Sequence, residues 1–182
     1  IVALATPPGR AALALIRLSG AGAFALAARC LHPFRAEPPR TAFRARLAHP
    51  ETGEPVDEVL AACFPAPRSY SGEDVVEIST HGGLVVPAAA LAAFVAAGAR
   101  LAEPGEFTRR AVLNGKMDLL QAEATADLID AGSPAQRRRA LHQLERGLSG
   151  RLTALRQEVL DLEGLIAYDI DFPEEDEGPV SE

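Results

Sequence analysis

The sequence is poor in aromatic, sulfur-containing and lysine residues, and each shortage limits what the protein can be. Its 182 residues include no tryptophan, one methionine and two cysteines, and only 5% are aromatic. The hydrophobic fraction of 48% is still large enough for a core, although 35 of the residues are alanine. Small side chains let helices pack closely, although each buries little area. We therefore expect a core of alanine, leucine and valine in one ordinary domain, or in a small domain with an extension.

The two cysteines, Cys30 and Cys63, do not form a metal site or a disulfide framework in this sequence. Neither shows the Cys-x-x-Cys or histidine spacing of a metal site, so we expect both to be reduced and buried, as in a cytoplasmic protein. No apolar run reaches the roughly 18 residues of a membrane-spanning helix. We do not expect the first ten residues, IVALATPPGR, to act as a signal peptide, because Pro-Pro-Gly interrupts them. We expect no membrane partner.

Several motifs of common catalytic sites are also missing. The chain contains no Gly-x-x-x-x-Gly-Lys-[Ser/Thr] loop, no His-Glu-x-x-His and no Gly-x-Ser-x-Gly. Without the first of these, the chain has no P-loop to hold the phosphates of a nucleotide. The acidic stretch at residues 172–178 lacks the defined spacing of a cation-binding loop. His81 is interpreted as a structural histidine that closes a tight turn. We therefore predict neither a catalytic residue nor a metal site.

The net charge of −7 hides a gradient along the chain. Residues 1–50 contain seven arginines and one glutamate, whereas residues 158–182 contain ten acidic residues and no basic residue. The acidity of the whole chain argues against an autonomous nucleic-acid-binding protein, which normally has a basic face. The basic N-terminal third can still receive an anionic ligand, although we expect most of its arginines to be solvated.

Strand and helix patterns alternate irregularly over the first 115 residues, which favours an α+β domain. Short apolar or alternating segments predict strands at residues 1–5, 12–18, 43–48, 58–64 and 74–79. Ser19 is placed to cap a helix that runs to about Leu31. A second helix is expected from Leu84 to Ala97, with Pro87 in its first turn.

After Met117 the pattern becomes entirely helical. Ser133, followed by Pro134 and Gln136, has the arrangement that caps a helix start. We expect this helix to run from Pro134 to about Tyr168. Apolar residues step by three and four along it and form an apolar seam: Leu141, Leu144, Leu148, Leu152, Leu155, Val159, Leu162 and Ile166. One isolated helix cannot bury such a seam, so it needs partner helices that this chain does not contain.

Three charged residues differ from their surroundings and are candidates for a binding site. Glu77 lies in an apolar strand, where an ionised carboxylate is costly unless it is paired. It either forms a structural ion pair with an arginine or binds a ligand with two adjacent N–H donors, since a carboxylate can accept both. Arg17 ends another apolar strand. Lys116 is the only lysine among eighteen cationic residues, and it is either a solvated loop charge or a ligand contact.

Four ordered motifs give the chain a specific resemblance. They are ATPPGR with IRLSG (residues 5–10 and 16–20), YSGEDVVE with HGG (70–77 and 81–83), EPGEFTRRAVLNGKMDLLQAEATADLIDA (103–131) and DIDFP (169–173). Together they resemble the MnmE/TrmE family, GTPases that modify the wobble uridine of certain tRNAs. The resemblance spans nearly the whole chain.

The resemblance implies a tetrahydrofolate-binding domain at residues 1–115, similar to the corresponding domain of glycine-cleavage aminomethyltransferases. It also implies the first part of an all-α helical domain at residues 116–182. In the family, a GTPase domain that needs GTP, Mg²⁺ and K⁺ is inserted into the helical domain. Later helices and a C-terminal cysteine motif complete the protein. The resemblance thus explains why the apolar seam lacks its partner helices.

The family's folate positions fall on Arg17, Glu77 and Lys116. The resemblance implies that Glu77 binds the pterin ring of 5-formyl-tetrahydrofolate, while Arg17 and Lys116 face anionic or carbonyl groups. A further folate-contacting lysine of the family has no counterpart in this chain. The residues alone do not select folate; the resemblance does.

The resemblance also implies partners for the complete protein. The N-terminal domain is expected to form a homodimer. With a flavoprotein partner, GidA/MnmG, the complete protein is expected to add a carboxymethylaminomethyl or aminomethyl group to the wobble uridine of tRNA.

Two other functions fit the same residues. A stand-alone tetrahydrofolate-dependent transferase would turn over without added domains, and a purely structural dimerisation module would bind no folate. The chain alone is expected to be inactive as a GTPase under each of the three interpretations.

Overall fold

The computed structural model of the protein describes residues 1–145 and 147–171. The chain forms two compact units, one comprising Ile1–Met117 and the other beginning at Asp118. Within the described residues, no helix is long and apolar enough to cross a membrane. The acidic stretch at residues 172–178, for which the sequence predicts no cation loop, lies outside the described residues.

The first unit contains a six-stranded sheet in which all neighbouring strands are antiparallel. Its strands are β1 (Val2–Leu4), β2 (Leu13–Ser19), β3 (Leu31–His32), β4 (Phe43–Ala48), β5 (Pro55–Phe64) and β6 (Val75–His81). Their order across the sheet is β1-β2-β6-β5-β4-β3. The five strands predicted from the sequence are confirmed with small shifts at their ends, and the short β3 is an addition.

Two helices, α1 (Ala23–Cys30) and α2 (Val85–Ala96), contribute to the core with this sheet. Successive side chains of a strand point to opposite faces, so Leu18 of β2 and Ile78 of β6 point into the core, where both are fully buried. Phe94 of α2 is the largest fully buried side chain. Many of the other helix residues in the core are alanines. The α+β class and the alanine-rich core are thus confirmed.

The start of α1 differs from the sequence-based prediction. The helix begins at Ala23, and its N-cap residue, Gly22, makes no side-chain cap hydrogen bond. Ser19 instead ends β2, and its hydroxyl bonds to Ser71 Oγ at 2.6 Å and to Glu73 Oε2 at 2.8 Å. The prediction of Ser19 as a cap is wrong, because its hydroxyl forms hydrogen bonds with residues more than 50 positions away in sequence.

A third helix of the first unit is α3 (Glu106–Leu113). The described part of the second unit consists of α4 (Leu119–Ile129), α5 (Pro134–Leu144) and α6 (Gly147–Asp171). A capping box opens α4, because Asp118 and Gln121 each accept the other's backbone N–H with a side-chain oxygen. At the start of α5, Ser133 Oγ accepts the N–H of Gln136, which confirms the predicted cap.

The prediction of one helix from Pro134 to about Tyr168 is wrong, because α5 ends at Leu144 and α6 begins at Gly147. The break lies beside Gly147, and a glycine inside a helix destabilises that helix by about 1 kcal/mol relative to alanine. The carbonyl of Leu144 accepts a hydrogen bond of 2.7 Å from Nε2 of Gln121. A side chain of α4 therefore supplies the donor for a carbonyl at the C-terminal end of α5. The apolar period is the same on both sides of the break and therefore does not reveal it.

The apolar seam along α5 and α6 is largely exposed. The exposed fraction is 39% at Leu141 and reaches 57% at Leu162. Such a stripe is normally buried against neighbouring elements. Its exposure agrees with the expectation that further helices cover it.

The cysteines behave as predicted from their spacing. Cys30 and Cys63 are both buried free thiols. Burial raises the pKa of each thiol to about 11. Because the thiolate is the nucleophile, both side chains are unreactive at neutral pH.

Candidate functional site

Two of the three predicted site residues lie opposite each other on neighbouring strands. The register of β2 and β6 pairs Arg17 directly with Glu77. Because the adjacent residues Leu18 and Ile78 face the core, alternation places this pair on the other face of the sheet. The sheet therefore brings together two charges that are 60 residues apart in sequence.

Arg17 and Glu77 form an asymmetric ion pair. Arg17 donates from Nε at 2.9 Å and from Nη2 at 2.6 Å, and both hydrogen bonds go to Oε1 of Glu77. Oε2 of Glu77 accepts no hydrogen bond from any described residue. The side chains remain 22% and 28% exposed, respectively. The structural ion pair that the sequence left open is thus present, and it leaves the second carboxylate oxygen without a partner among the described residues.

Two aromatic rings lie against the guanidinium of Arg17. Its Cζ atom is 4.9 Å from the ring centroid of Tyr70 and 5.7 Å from that of Phe107, both within the range of a cation–π contact. The Tyr70 hydroxyl is 2.8 Å from Oγ1 of Thr108, which follows Phe107 on α3. Arg17 is therefore held by Glu77 and by two rings that are themselves linked through α3.

The end of α3 fixes the backbone of Lys116. The Lys116 N–H donates to the carbonyl of Ala111 at 2.8 Å, and the Gly115 N–H donates to that of Val112 at 3.0 Å. This is the hydrogen-bond pattern of a Schellman motif. It requires a left-handed residue, and Gly115 has φ of +67°. The Lys116 side chain is exposed and forms no ion pair with any described residue.

The loop that carries Tyr70, Ser71 and Gly72 packs against the residues at the end of α3. Asn114 donates from Nδ2 to the carbonyl of Ser71 at 2.8 Å. Gly72 adopts φ of +80°, and a Cβ there would lie 2.9 Å from Cβ of Asn114 and 3.1 Å from Cγ of Lys116. The loop that carries Tyr70 therefore packs closely on the stem of Lys116. The structure places Lys116 beside this loop, and places Arg17 and Glu77 in direct contact.

A second charged network lies next to the predicted site and was not foreseen. Glu106 is 2% exposed, and its carboxylate accepts hydrogen bonds from Arg100, from Arg110 and from the backbone N–H of Glu103. The bonds from Arg100 and from that N–H lower the pKa of Glu106 to about 2, although burial acts in the opposite direction. Arg110 also binds Glu73 at 3.0 Å. This network joins α3 to the loop of Tyr70.

A cleft of about 500 Å³ runs along the same network. Its lining residues are Glu73, Arg100, Glu106, Arg109, Arg110, Leu113 and Asn114. Each of the three arginines already faces a carboxylate within 4.0 Å. Among the residues described, its lining includes none of the three predicted site residues. We therefore assign the cleft to the structural network.

His81 has a structural environment. Its Nδ1 lies 2.7 Å from Oδ1 of Asp57, and its backbone N–H donates to Oδ2 of Asp57 at 2.8 Å. These contacts tie the end of β6 to β5, which supports the structural interpretation. In the described parts of the chain, no group of three histidine, cysteine or acidic residues is arranged to hold a metal ion.

Comparison with known proteins assigns both units. Residues 1–116 match the family described as the GTP-binding protein TrmE N-terminus, and residues 119–182 match the MnmE helical domain. Relatives named tRNA modification GTPase MnmE include those of Azoarcus sp. (48% identical over 97% of this chain), Thermus thermophilus (47% over 99%) and Aquifex aeolicus (47% over 97%). The chain spans only 38%, 42% and 39% of these relatives, respectively. The chain therefore belongs to the MnmE/TrmE family and contains its N-terminal domain and residues of its helical domain.

Proposed function

We propose that this chain is the folate-binding part of a tRNA modification GTPase. The observation that carries the proposal is the Arg17–Glu77 pair on the outer face of the sheet, with Oε2 of Glu77 free of partners among the described residues. The tRNA-modification and GTPase parts of this proposal rest on the name of the relatives, tRNA modification GTPase MnmE. The flavoprotein GidA/MnmG is the proposed partner in modifying the wobble uridine.

The chemistry of Glu77 suits a pterin ring. A carboxylate has about four lone-pair positions, and Arg17 uses two of them on Oε1. Oε2 can therefore accept from the ring amide N–H and the neighbouring exocyclic amine of 5-formyl-tetrahydrofolate. A hydrogen bond to a charged group contributes about 1.5–3 kcal/mol. The likeness to aminomethyltransferase folate domains is part of the same proposal.

Lys116 suits the anionic end of the ligand. It is exposed and forms no ion pair among the described residues, and its flexible stem carries a compact positive charge. The Schellman motif fixes its backbone, and the exposed side chain can reach a ligand. We propose that it faces a carboxylate or carbonyl group of the folate.

Titration calorimetry with 5-formyl-tetrahydrofolate tests the proposal. We expect the chain to bind this ligand, and to neither bind nor hydrolyse GTP with Mg²⁺ and K⁺ present, because its sequence has no P-loop. Folded protein that gives no heat with the folate at concentrations up to the millimolar range would contradict the folate assignment. GTP hydrolysis above a buffer blank would contradict the second expectation.

A purely structural dimerisation module is the second candidate. It is favoured by the ion pair itself, which gives Glu77 a counter-charge without a ligand. Both candidates predict a homodimer joined through residues 1–115. Light scattering at tens of micromolar is expected to give twice the chain mass of 19.2 kDa. A monomer under these conditions would count against the dimer, and folate binding separates the two candidates.

A further inference from the structure

Helix α5 is basic and contains no acidic residue, although the whole chain has a net charge of −7. Its sequence, PAQRRRALHQL, includes three consecutive arginines, Arg137, Arg138 and Arg139. Helix α4, which packs against α5, has the opposite composition, with two acidic residues and no basic residue. The first half of α5 is therefore a strongly positive segment on an acidic chain.

The three arginines are exposed, and no carboxylate pairs with them. None of their side chains forms an ion pair or a hydrogen bond with another residue that the structure describes. Arg139 lines a groove of about 320 Å³ together with Asp127 and Asp130, yet it forms no ion pair with either of them. The charge of all three guanidinium groups is therefore available to an anion from outside the described chain.

The helix geometry directs this charge towards solvent. Ala140 is the buried residue of α5, so the side of the helix that carries it faces the protein. An α-helix turns by about 100° per residue, which places Arg138 on the opposite side of α5, between Arg137 and Arg139. His142 follows Arg138 by one turn and is also exposed. The side of α5 that faces away from the protein is thus basic.

Folding stability does not account for this arrangement. Like charges this close together repel each other in the free protein. The other basic part of the chain, residues 1–50, differs in this respect, because four of its seven arginines donate to acceptors within the protein: Arg17, Arg29, Arg40 and Arg44. An anionic partner would relieve the repulsion on α5.

We propose that Arg137, Arg138 and Arg139 form a contact surface for the phosphate backbone of RNA. The inference rests on the tRNA part of the proposed function. The surface lies in the second unit, whereas the proposed folate site lies in the first. A guanidinium can bind a phosphate through two parallel hydrogen bonds. Phosphate contacts of this kind position a nucleic acid without reading its sequence.

Charge density favours RNA over an acidic protein segment as the partner. Double-stranded DNA carries one negative charge per about 1.7 Å of its length, and a base-paired RNA stem is similarly dense. An extended acidic peptide carries at most one charge per residue, or one per about 3.3–3.6 Å. Three adjacent, unpaired arginines therefore gain more from the phosphates of an RNA stem.

Fluorescence anisotropy with a labelled tRNA at several salt concentrations tests this surface. We expect the chain to bind with the dissociation constant of non-specific contacts, about 10⁻⁴–10⁻⁶ M near physiological salt. The triple variant Arg137→Gln/Arg138→Gln/Arg139→Gln is expected to weaken binding at least about tenfold. The slope of log Kd against log salt concentration is expected to fall by about two to three, because each lost phosphate contact removes about 0.7–0.9. Glutamine and arginine have similar helix propensities, so α5 is expected to form in the variant.

Two matched variants separate this surface from the total charge of the chain. Arg10→Gln/Arg46→Gln/Arg68→Gln removes three exposed arginines of the first unit that form no ion pair with a described residue. It is expected to keep the affinity for tRNA within about twofold and to keep the salt slope. Replacing the three arginines of α5 by lysine keeps their charge, so the slope is expected to stay while the affinity falls less than with glutamine. Equal losses in the two glutamine variants would overturn the inference.

A competitor distinguishes RNA from an acidic protein partner. Poly-L-glutamate is expected to displace the labelled tRNA less well than unlabelled tRNA does at equal total charge, because its charges are more widely spaced. Equal displacement by the two competitors would overturn the inference and would assign the arginines to an acidic protein segment. Wild-type chain that leaves the anisotropy unchanged up to about 1 mM at low salt would also overturn it.

Folate calorimetry on the same proteins separates this inference from the folate site. The glutamine triple variant of α5 is expected to bind 5-formyl-tetrahydrofolate as the wild type does, because its substitutions lie in the second unit. Folate binding without tRNA binding would contradict the inference alone. Binding of tRNA through α5 without folate binding would support the inference and contradict the folate function alone.

Discussion

Glu77→Ala is expected to weaken binding of 5-formyl-tetrahydrofolate by about 10- to 150-fold. The carboxylate supplies charge-assisted hydrogen bonds to the pterin, each contributing about 1.5–3 kcal/mol, and every 1.4 kcal/mol is a factor of ten. Lys116→Ala is expected to cause a loss of similar size. Lys116→Arg keeps the charge but changes its shape, so its loss is expected to be smaller yet measurable.

Matched controls distinguish the site from a general loss of charge or of a cross-strand pair. Glu58 forms a similar ion pair with Arg44 between β5 and β4, so Glu58→Ala removes a comparable contact elsewhere on the sheet. Arg138 is an exposed cation in the second unit. Both Glu58→Ala and Arg138→Ala are expected to keep wild-type affinity. Equal affinities across the wild type, Glu77→Ala and Lys116→Ala, each shown to be folded, would refute the site.

Glu106→Gln is expected to have the largest effect on stability, with a fall in melting temperature of at least about 5 °C at neutral pH. The substitution replaces the buried carboxylate by a neutral amide, so Arg100 and Arg110 lose the negative charge that they share, although Arg110 still binds Glu73. Glu103→Gln is the matched control, because Glu103 lies in the same region but is exposed and meets Arg109 only at 3.6 Å. The control is expected to stay close to the wild type.

The same carboxylate gives the stability of the first unit a defined pH dependence. The pKa of Glu106 is lowered from 4.5 to about 2 in the folded chain. A lowered folded-state pKa contributes stability that is fully present above the unfolded pKa. This contribution is lost as the pH falls from the ordinary pKa of 4.5 through the folded-state pKa of about 2. Thermal unfolding between pH 5 and pH 2 is expected to show a weaker dependence in Glu106→Gln than in the wild type. Identical slopes for the two proteins would contradict this role of Glu106.

Local patterns predict the elements of the first unit but not how distant ones meet. The strand pattern of the sequence places Glu77 on an apolar strand. The sequence does not say which of its seventeen arginines pairs with this carboxylate. The choice of Arg17 depends on β2 lying beside β6 and on the register between them, and both are properties of the folded sheet. Ser19 fails as a cap for the same reason, because its partners come from the loop before β6.

The residues around Arg17 carry only a weak signal in the sequence. Tyr70 and Phe107 are two of nine aromatic residues, and both lie inside the motifs that give the family resemblance. Their location in these motifs could have identified them as candidate site residues, although nothing in their spacing predicts contact with a guanidinium. The break between α5 and α6 is hidden in a similar way, because Gln121 of α4 supplies the bond that ends α5.

A crystal structure of the chain with 5-formyl-tetrahydrofolate is the decisive test of the proposed folate site. We expect pterin N–H groups within hydrogen-bond distance of Oε2 of Glu77, with Arg17 still bound to Oε1 beside the ring of Tyr70. Lys116 is predicted to lie at the tail of the folate. A folate bound elsewhere on the chain, or one that leaves Glu77 paired with Arg17 alone, would rule out this site.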